Sequence, residues 1–194
     1  MPKAVIENPV LNSPYEEPKR HFFFDEEGIT DRVVDARRIS SYFVPIAKPK
    51  KKGKQLELDT EWTADRIEEN KFINDLRRAV GRWRMTYYAG VTATTRLLLQ
   101  YWSNPDRERR LYYCQFEAME TAIWLAEVAD RQDGGPILRE LKEANDGNNP
   151  LLYRVAFKMA TGAGKTVVMG ALIVYHFFNR RQYESDPRFA DNFL

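Results

Sequence analysis

The sequence predicts an α/β fold whose C-terminal part is a strand–loop–helix unit, preceded by a mainly helical region and an irregular opening segment. Three observations predict this unit. Residues 152–157 form an apolar run with the length of a buried strand. A glycine-containing turn follows at 161–166, and the apolar run at 167–178 then has the length of a core helix. Such a strand and helix are expected to begin a parallel sheet that is covered on both faces.

Residues 1–60 are predicted to form an irregular segment that ends in a basic linker. Proline recurs there without helical periodicity, so we expect short strands at 21–24 and 41–46 and otherwise loops. The lysine-rich stretch at 48–54 has two interpretations, a solvated linker or a patch that contacts phosphate groups. We favour the linker, because no aromatic residue is interleaved with these lysines.

Residues 61–110 are predicted to be helical. A first helix is expected from about Trp62, with Thr60 or Thr63 as its N-cap. Its apolar residues recur at near-helical spacing, at Ile67, Phe72, Ile73, Leu76, Val80 and Trp83. A second helix is expected at 91–102, where Asn104-Pro105 stops it.

Four arginines lie on the opposite face of the first predicted helix, namely Arg77, Arg78, Arg82 and Arg84. Such residues usually form a solvated face of a helix. The alternative is a contact with nucleic acid, because arginines beside Trp83 can follow a phosphate backbone. The residues alone leave both interpretations open.

Residues 111–194 contain the strand–loop–helix unit and the helices that lead to it. The predicted elements are a periodic helix at 115–129, a break at 133–136, a short helix at 137–144, a loop at 145–150, the strand, the glycine turn, and a helix from Lys165 to about Arg181. At the end, Phe193-Leu194 is typical of the first step of a further strand.

The turn Thr161-Gly-Ala-Gly-Lys-Thr166 has the composition of a phosphate-binding loop. Gly162 and Gly164 permit positive φ angles, so backbone N–H groups can converge on an anion. The helix that follows directs the positive end of its dipole at the same point. Lys165 would reach the β- and γ-phosphates, and the Thr166 hydroxyl would ligate Mg²⁺. The predicted binding residues are therefore Thr161, Gly162, Ala163, Gly164, Lys165 and Thr166.

A glycine turn without a ligand explains this stretch less well. The strict pattern G-x-x-x-x-G-K-[ST] fails at its first position, which is Met159. The remaining T-G-x-G-K-T still fixes five positions, and chance gives roughly one such match per million positions. A turn between a buried strand and a helix would account for the glycines but not for the Lys-Thr pair after them.

Composition and charge restrict the class of protein. The formal net charge of the 194 residues is +2, so bulk charge does not indicate nucleic acid. The single cysteine, Cys114, excludes an intramolecular disulfide and suits a reducing compartment. No basic-then-apolar leader opens the sequence, and the apolar run at 167–178 is interrupted by His176 and too short to span a bilayer. We expect a cytoplasmic protein without a membrane segment.

The stretch Met159-Ala-Thr-Gly-Ala-Gly-Lys-Thr166 resembles motif I of superfamily 2 DEAD/DEAH-type DNA helicases. The similarity is greatest to the helicase (Res) subunit of type III restriction enzymes. The resemblance implies a RecA-like ATP-binding domain over 111–194 and a preceding glutamine that recognises adenine. Gln115, in the stretch from Tyr112 to Trp124, fits that role if the segment at 131–149 loops out.

The resemblance also implies cofactors and partners. It implies ATP and Mg²⁺ as cofactors, double-stranded DNA as substrate, and a modification (methyltransferase) subunit as a partner, in an ATP-driven helicase or translocase. The Asp-Glu motif and the arginine fingers that complete such an ATPase do not follow Lys165 in these 194 residues. We therefore expect the chain to hold the N-terminal, ATP-binding part of the enzyme and to show negligible ATP hydrolysis by itself.

Two other classes of protein remain alternatives. A nucleotide kinase or a switch GTPase would place the phosphate loop near the start of its domain, whereas more than 150 residues precede it here. A non-catalytic DNA-binding or assembly module would use Arg77 to Arg84 together with the lysines at 48–54. A steep salt dependence of DNA binding without nucleotide dependence would favour the module.

Overall fold

The computed structural model describes residues 8–25, 28–43, 67–148 and 150–193. The chain divides into two compact units, one made of Met1–Leu11 and Pro18–Asn74, the other of Asn12–Glu17 and Asp75–Leu194. The lysine-rich stretch at 48–54, the two candidate N-caps Thr60 and Thr63, and Leu194 lie outside the described residues.

The first unit contains two antiparallel strand pairs. Strand β1 (His21–Asp25) pairs with β2 (Gly28–Val34), and the register shifts between Phe22 and Phe24. Strand β3 (Ser41–Phe43) pairs with β4 (Ile67–Glu69). The short strands predicted at 21–24 and at the start of 41–46 are confirmed.

The first helix, α1 (Lys71–Met85), starts later than its sequence predicts. Residues 67–69 belong to β4, because their backbone pairs with Ser41–Phe43 rather than with the following turn. Asn74 fixes the junction, since its amide accepts from the Ser40 N–H at 3.0 Å and donates to the Ser40 carbonyl at 3.1 Å. The prediction of a helix from about Trp62 was therefore wrong for 67–69, where a non-local pairing overrides local periodicity.

The second unit is helical. It contains the rest of α1, then α2 (Ala93–Ser103), α3 (Tyr113–Glu127), a 3₁₀ turn (Ala129–Arg131), α4 (Gly135–Asn148) and α5 (Lys165–Gln182). Helix α5 packs against both α2 and α3. The core side chains include Leu76, Val80, Trp83, Leu99, Trp102, Met119, Ile123, Trp124, Val168 and Tyr175.

The helix boundaries agree with their local signals in most places. The Thr92 hydroxyl caps α2 by accepting from the Thr95 N–H at 3.0 Å, and Asn104 ends that helix as expected. Helix α4 is longer than predicted, because the chain stays helical through Asn148 and the loop predicted at 145–150 is mostly helix. Gly135 and Pro136 start this helix, a position in which the missing proline N–H costs nothing.

The strand predicted at 152–157 is not formed among the described residues. Residues 153–160 have no regular secondary structure. A strand exists only with a partner that receives its hydrogen bonds, and no described strand pairs with this segment. The apolar side chains of Leu151, Leu152 and Tyr153 are consequently exposed. Among the described helices, none combines the length and the hydropathy needed to cross a lipid bilayer.

Candidate phosphate-binding site

The loop at 159–166 adopts the backbone geometry that its glycines permit. Gly162 has φ 78°, and Gly164 has φ 77° and ψ 45°, both in the left-handed region. The Ala163 N–H donates to the Ala160 carbonyl at 3.2 Å and closes a turn. Gly164 is then the N-cap of α5, and its carbonyl accepts from the Val167 N–H at 3.0 Å. The two glycines therefore turn the chain directly into a helix.

Several backbone donors of this loop have no acceptor among the described residues. The N–H groups of Gly162, Gly164, Lys165 and Thr166 donate to no acceptor within the described part of the chain. Lys165 and Thr166 are the first residues of the 18-residue helix α5, so the positive end of its dipole lies at the same place. Thr161 and Gly162 are exposed, and Ala163 and Gly164 are half-buried. An anion can therefore approach the loop from solvent and satisfy these donors.

Lys165 lies across its own loop. Its Nζ donates to the Ala160 carbonyl at 3.0 Å, and its side chain is exposed. The ammonium group is thus held next to the donor-rich turn by one bond to a neutral carbonyl. A phosphate oxygen would be a stronger acceptor for the same ammonium, because it carries a negative charge that attracts the cation, whereas the Ala160 carbonyl is neutral.

Thr166 is the predicted metal ligand of the loop. It is exposed on the first turn of α5. The described residues contain no cluster of three His, Cys, Asp or Glu side chains that could hold a metal ion by themselves. Coordination of Mg²⁺ by the Thr166 hydroxyl stays a prediction.

The structure brings Gln115 to the loop at 159–166. Its side chain is 5% exposed, and its Nε2 donates to the Ala163 carbonyl at 3.0 Å. Its Oε1 accepts from the Tyr112 N–H at 3.0 Å, at the start of α3. The helicase resemblance implied a role for Gln115 at the nucleotide, and the structure shows its amide against Ala163, 48 positions along the chain. Recognition of adenine by this amide stays a prediction.

A buried polar network fixes the part of α5 that follows the loop. The Glu127 carboxylate accepts from the hydroxyls of Thr95, at 2.6 Å, and Tyr175, at 3.0 Å. Asn179, also fully buried, donates to the Thr95 hydroxyl at 2.8 Å. Burial and the nearby Glu127 carboxylate raise the pKa of Tyr175. These contacts join α2, α3 and α5, so they fix the helix whose first residues form the candidate site.

This network could have been suspected from the sequence. Glu120 and Glu127 interrupt the apolar face of α3 at a spacing of seven residues, which is two helical turns. Charged side chains at core positions are rare unless they are paired. Both carboxylates are buried, and both have partners on other helices.

The four arginines of α1 do not form one face. Arg84 turns towards α3 and pairs with the buried Glu120, with Nη2 and Oε2 2.6 Å apart. Arg78 pairs with Asp75 on its own helix, Arg77 is half-buried, and Arg82 is exposed. The expectation that Arg84 belongs to a solvated or nucleic-acid-binding row was therefore wrong, because its guanidinium compensates a carboxylate in the core.

Comparisons with known proteins give this geometry no relatives. No protein-family model matches the chain, and the searches of curated proteins and of solved structures found no significant match. The resemblance of 159–166 to motif I therefore depends on the residues alone.

Proposed function

We propose that residues 159–166 bind the triphosphate of ATP together with Mg²⁺, and that the chain is part of an ATP-driven DNA helicase or translocase similar to the Res subunit of type III restriction enzymes. The observation that carries the proposal is the arrangement of Gly162, Gly164 and Lys165. Two left-handed glycines turn the chain into the N-terminus of α5, and the lysine ammonium lies over that turn. Backbone N–H groups and a lysine ammonium also surround the phosphates in P-loop proteins, although among the described residues no strand directly precedes the loop here.

The residues present fit the triphosphate and the metal. The N–H groups of Gly162, Gly164, Lys165 and Thr166 would donate to phosphate oxygens, and the Lys165 ammonium would neutralise their charge. The Thr166 hydroxyl would be one ligand of Mg²⁺. When bound, Mg²⁺ offsets the negative charge of the phosphates.

Exposed apolar side chains support an α/β fold for this region. Besides the side chains before the loop, Met169, Ile173 and Phe177 on α5 are exposed. Strands of a parallel sheet and the helices that cover them are buried on their apolar faces. The exposed apolar face of α5 and the segment at 151–157 therefore have the character of a first strand and helix that pack against further strands.

The nucleotide-binding proposal is tested by titration calorimetry of the whole chain with ATP and with inorganic tripolyphosphate, each with Mg²⁺. The Lys165→Ala variant removes a charge-assisted contact and is expected to weaken both ligands by about tenfold to a hundredfold. The Lys158→Ala variant is the matched control, because Lys158 is an exposed lysine seven positions earlier. Absence of binding by the folded chain, or equal effects of the two substitutions, would contradict the proposal.

The DNA partner requires its own measurement. Binding of a duplex is measured over a range of salt concentrations, with and without ATP and Mg²⁺. A helicase or translocase, with its modification subunit as a further partner, is expected to change its DNA affinity when nucleotide binds. DNA binding that depends on salt but is the same with and without nucleotide supports the non-catalytic DNA-binding or assembly module instead.

A further inference from the structure

Gln115 is held at both ends of its amide. It occupies the first turn of α3, where its Oε1 accepts from the Tyr112 N–H at 3.0 Å. Its Nε2 donates to the Ala163 carbonyl at 3.0 Å. The side chain is almost fully buried. The amide therefore connects the N-terminus of α3 with the phosphate loop.

The orientation of this amide follows from its two neighbours. If Oε1 and Nε2 exchanged places, the oxygen would face the Ala163 carbonyl oxygen and the NH₂ group would face the Tyr112 N–H. Neither contact is a hydrogen bond, because each would pair two acceptors or two donors. The arrangement with Nε2 against Ala163 is the one that satisfies both groups.

The contact also determines how the next amide of the loop points. The Ala163 carbonyl and the Gly164 N–H belong to one trans peptide unit, in which C=O and N–H point in opposite directions. Because Gln115 holds the carbonyl towards α3, the Gly164 N–H is directed away from α3. That N–H is one of the loop donors that lack an acceptor in the described structure.

The same contact restricts the residue at position 164, because a larger residue would displace the Gln115 amide. A Cβ atom there would overlap the Nε2 atom of Gln115. The left-handed φ of 77° is a second and independent reason for glycine. The side chain at 115 and the missing side chain at 164 are therefore complementary in shape.

We propose that Gln115 is a positioning residue that orients the phosphate loop for triphosphate binding, irrespective of the base. This inference rests on the proposed function of the loop. Gln115 acts by fixing the Ala163–Gly164 peptide in the orientation that presents its N–H to the anion. Its loss lowers the fraction of loops that are ready to bind, and the affinity of every triphosphate falls by the same factor.

The test compares three ligands, each with Mg²⁺: inorganic tripolyphosphate, ATP and GTP. The variant is Gln115→Met, which keeps the length of the side chain and removes both hydrogen bonds. We expect all three affinities to fall by a similar factor, about threefold to tenfold, because only one of the two lost bonds, that to the Ala163 carbonyl, orients the loop. The Gln100→Met variant is the control, because Gln100 is an exposed glutamine on α2.

The outcomes separate the two proposals. If Gln115→Met weakens ATP alone and leaves tripolyphosphate unchanged, Gln115 reads adenine and the positioning role is overturned. If none of the three affinities changes, the positioning role is also overturned, while the nucleotide site stands. If the unsubstituted chain binds none of the ligands, the proposed function itself fails.

A second set of variants distinguishes the effect of the Gln115–Gly164 contact from a general loss of structure. Gly164→Ala is introduced into the unsubstituted chain and into the Gln115→Ala variant, and thermal unfolding confirms that each is folded. The strain of alanine at a positive φ is present in both, but the overlap with Nε2 exists only with Gln115. Gly164→Ala should therefore reduce tripolyphosphate affinity less in the Gln115→Ala background, and equal reductions would disprove the contact.

Discussion

The guanidinium of Arg84 and the carboxylate of Glu120 form a two-bond ion pair that joins α1 to α3. Nη2 and Oε2 are 2.6 Å apart, and Nε and Oε1 are 2.8 Å apart. Glu120 has 0% exposure and also accepts from the Tyr88 hydroxyl at 2.8 Å. The hydrogen bond to Glu120 is the main reason that the pKa of Arg84 is raised. A carboxylate at this depth is stable only while these partners are in place.

Replacing Arg84 by methionine should destabilise the fold strongly. The substitution keeps an unbranched chain but leaves the buried Glu120 with the Tyr88 hydroxyl as its remaining partner. Removal of one member of a buried ion pair costs about 3 to 5 kcal/mol, and we expect about 3 kcal/mol here because Arg84 is partly exposed. Urea unfolding of the two proteins measures this difference in free energy.

The same substitution at Arg78 is the control. Arg78 lies on the same helix and pairs with Asp75, but both side chains are more than half exposed. Exposed pairs contribute about 0 to 1 kcal/mol, so Arg78→Met should change the free energy of unfolding by less than that. Similar losses in the free energy of unfolding at the two positions would show that the buried Arg84–Glu120 pair stabilises the fold no more than an exposed pair does.

The Glu127 network should depend on both carboxylate oxygens. Oε2 accepts from the Thr92 N–H at 2.8 Å, while Oε1 accepts from two hydroxyls. In Glu127→Gln an NH₂ group replaces one oxygen, so either the Thr92 N–H or the hydroxyls lose their acceptor. We expect a loss of about 2 kcal/mol in the free energy of unfolding, since bonds to charged acceptors contribute about 1.5 to 3 kcal/mol. Glu143→Gln, at an exposed position of α4, should have almost no effect, and an equal loss there would refute the prediction.

Helices were the predictable part of this fold. The buried Met119 and Ile123 are four residues apart on α3, and this spacing gave the helix its signal. The turn at 161–166 was predictable for a related reason, because its geometry is local: Gly162 and Gly164 lie just before the helix start at Lys165. The structure places Gly164 at the helix N-cap, as that composition requires.

Non-local contacts were not predictable from spacing. Strand β4 forms because its backbone pairs with residues 41–43, and nothing in its own three residues signals a strand. Arg84 has the same sequence context as the exposed arginines near it, and only its distance to Glu120 distinguishes it. The partner of Gln115 likewise became visible only when α3 and the loop were placed together.

Stability should fall in acid because of His176. Its Nδ1 accepts from the Ala190 N–H at 3.2 Å, so the bond requires the neutral ring. Burial lowers the pKa of His176 below its ordinary value of 6.5, and the Glu127 carboxylate opposes this in part. Below pH 6.5 the unfolded chain therefore binds a proton that the folded chain resists, and stability is lost as the pH falls through the folded-state pKa.

Urea unfolding between pH 8 and pH 5 measures this effect. His176→Gln keeps a hydrogen-bond acceptor without a titrating ring, so its stability should fall less over this range than that of the unsubstituted chain. His21→Gln is the control, because the His21 ring nitrogen bonds to the Ala36 carbonyl and is therefore a donor. An unchanged pH dependence in His176→Gln would show that another group causes the loss.

If the chain binds ATP as proposed, the effect of Mg²⁺ on its ATP affinity should depend on the Thr166 hydroxyl. Thr166→Val keeps the shape of the side chain at the start of α5 but removes the predicted Mg²⁺ ligand. ATP affinity is measured with Mg²⁺ and with a chelator in its place. We expect Mg²⁺ to raise the ATP affinity of the unsubstituted chain and to have little effect on that of the valine variant. The Mg²⁺ effect should differ between the two proteins by at least about tenfold, because the variant has lost a metal contact. Thr166→Ser retains the hydroxyl and should retain the Mg²⁺ effect. If valine and serine behave alike, the metal is held by the phosphates and water alone, and Thr166 only starts the helix.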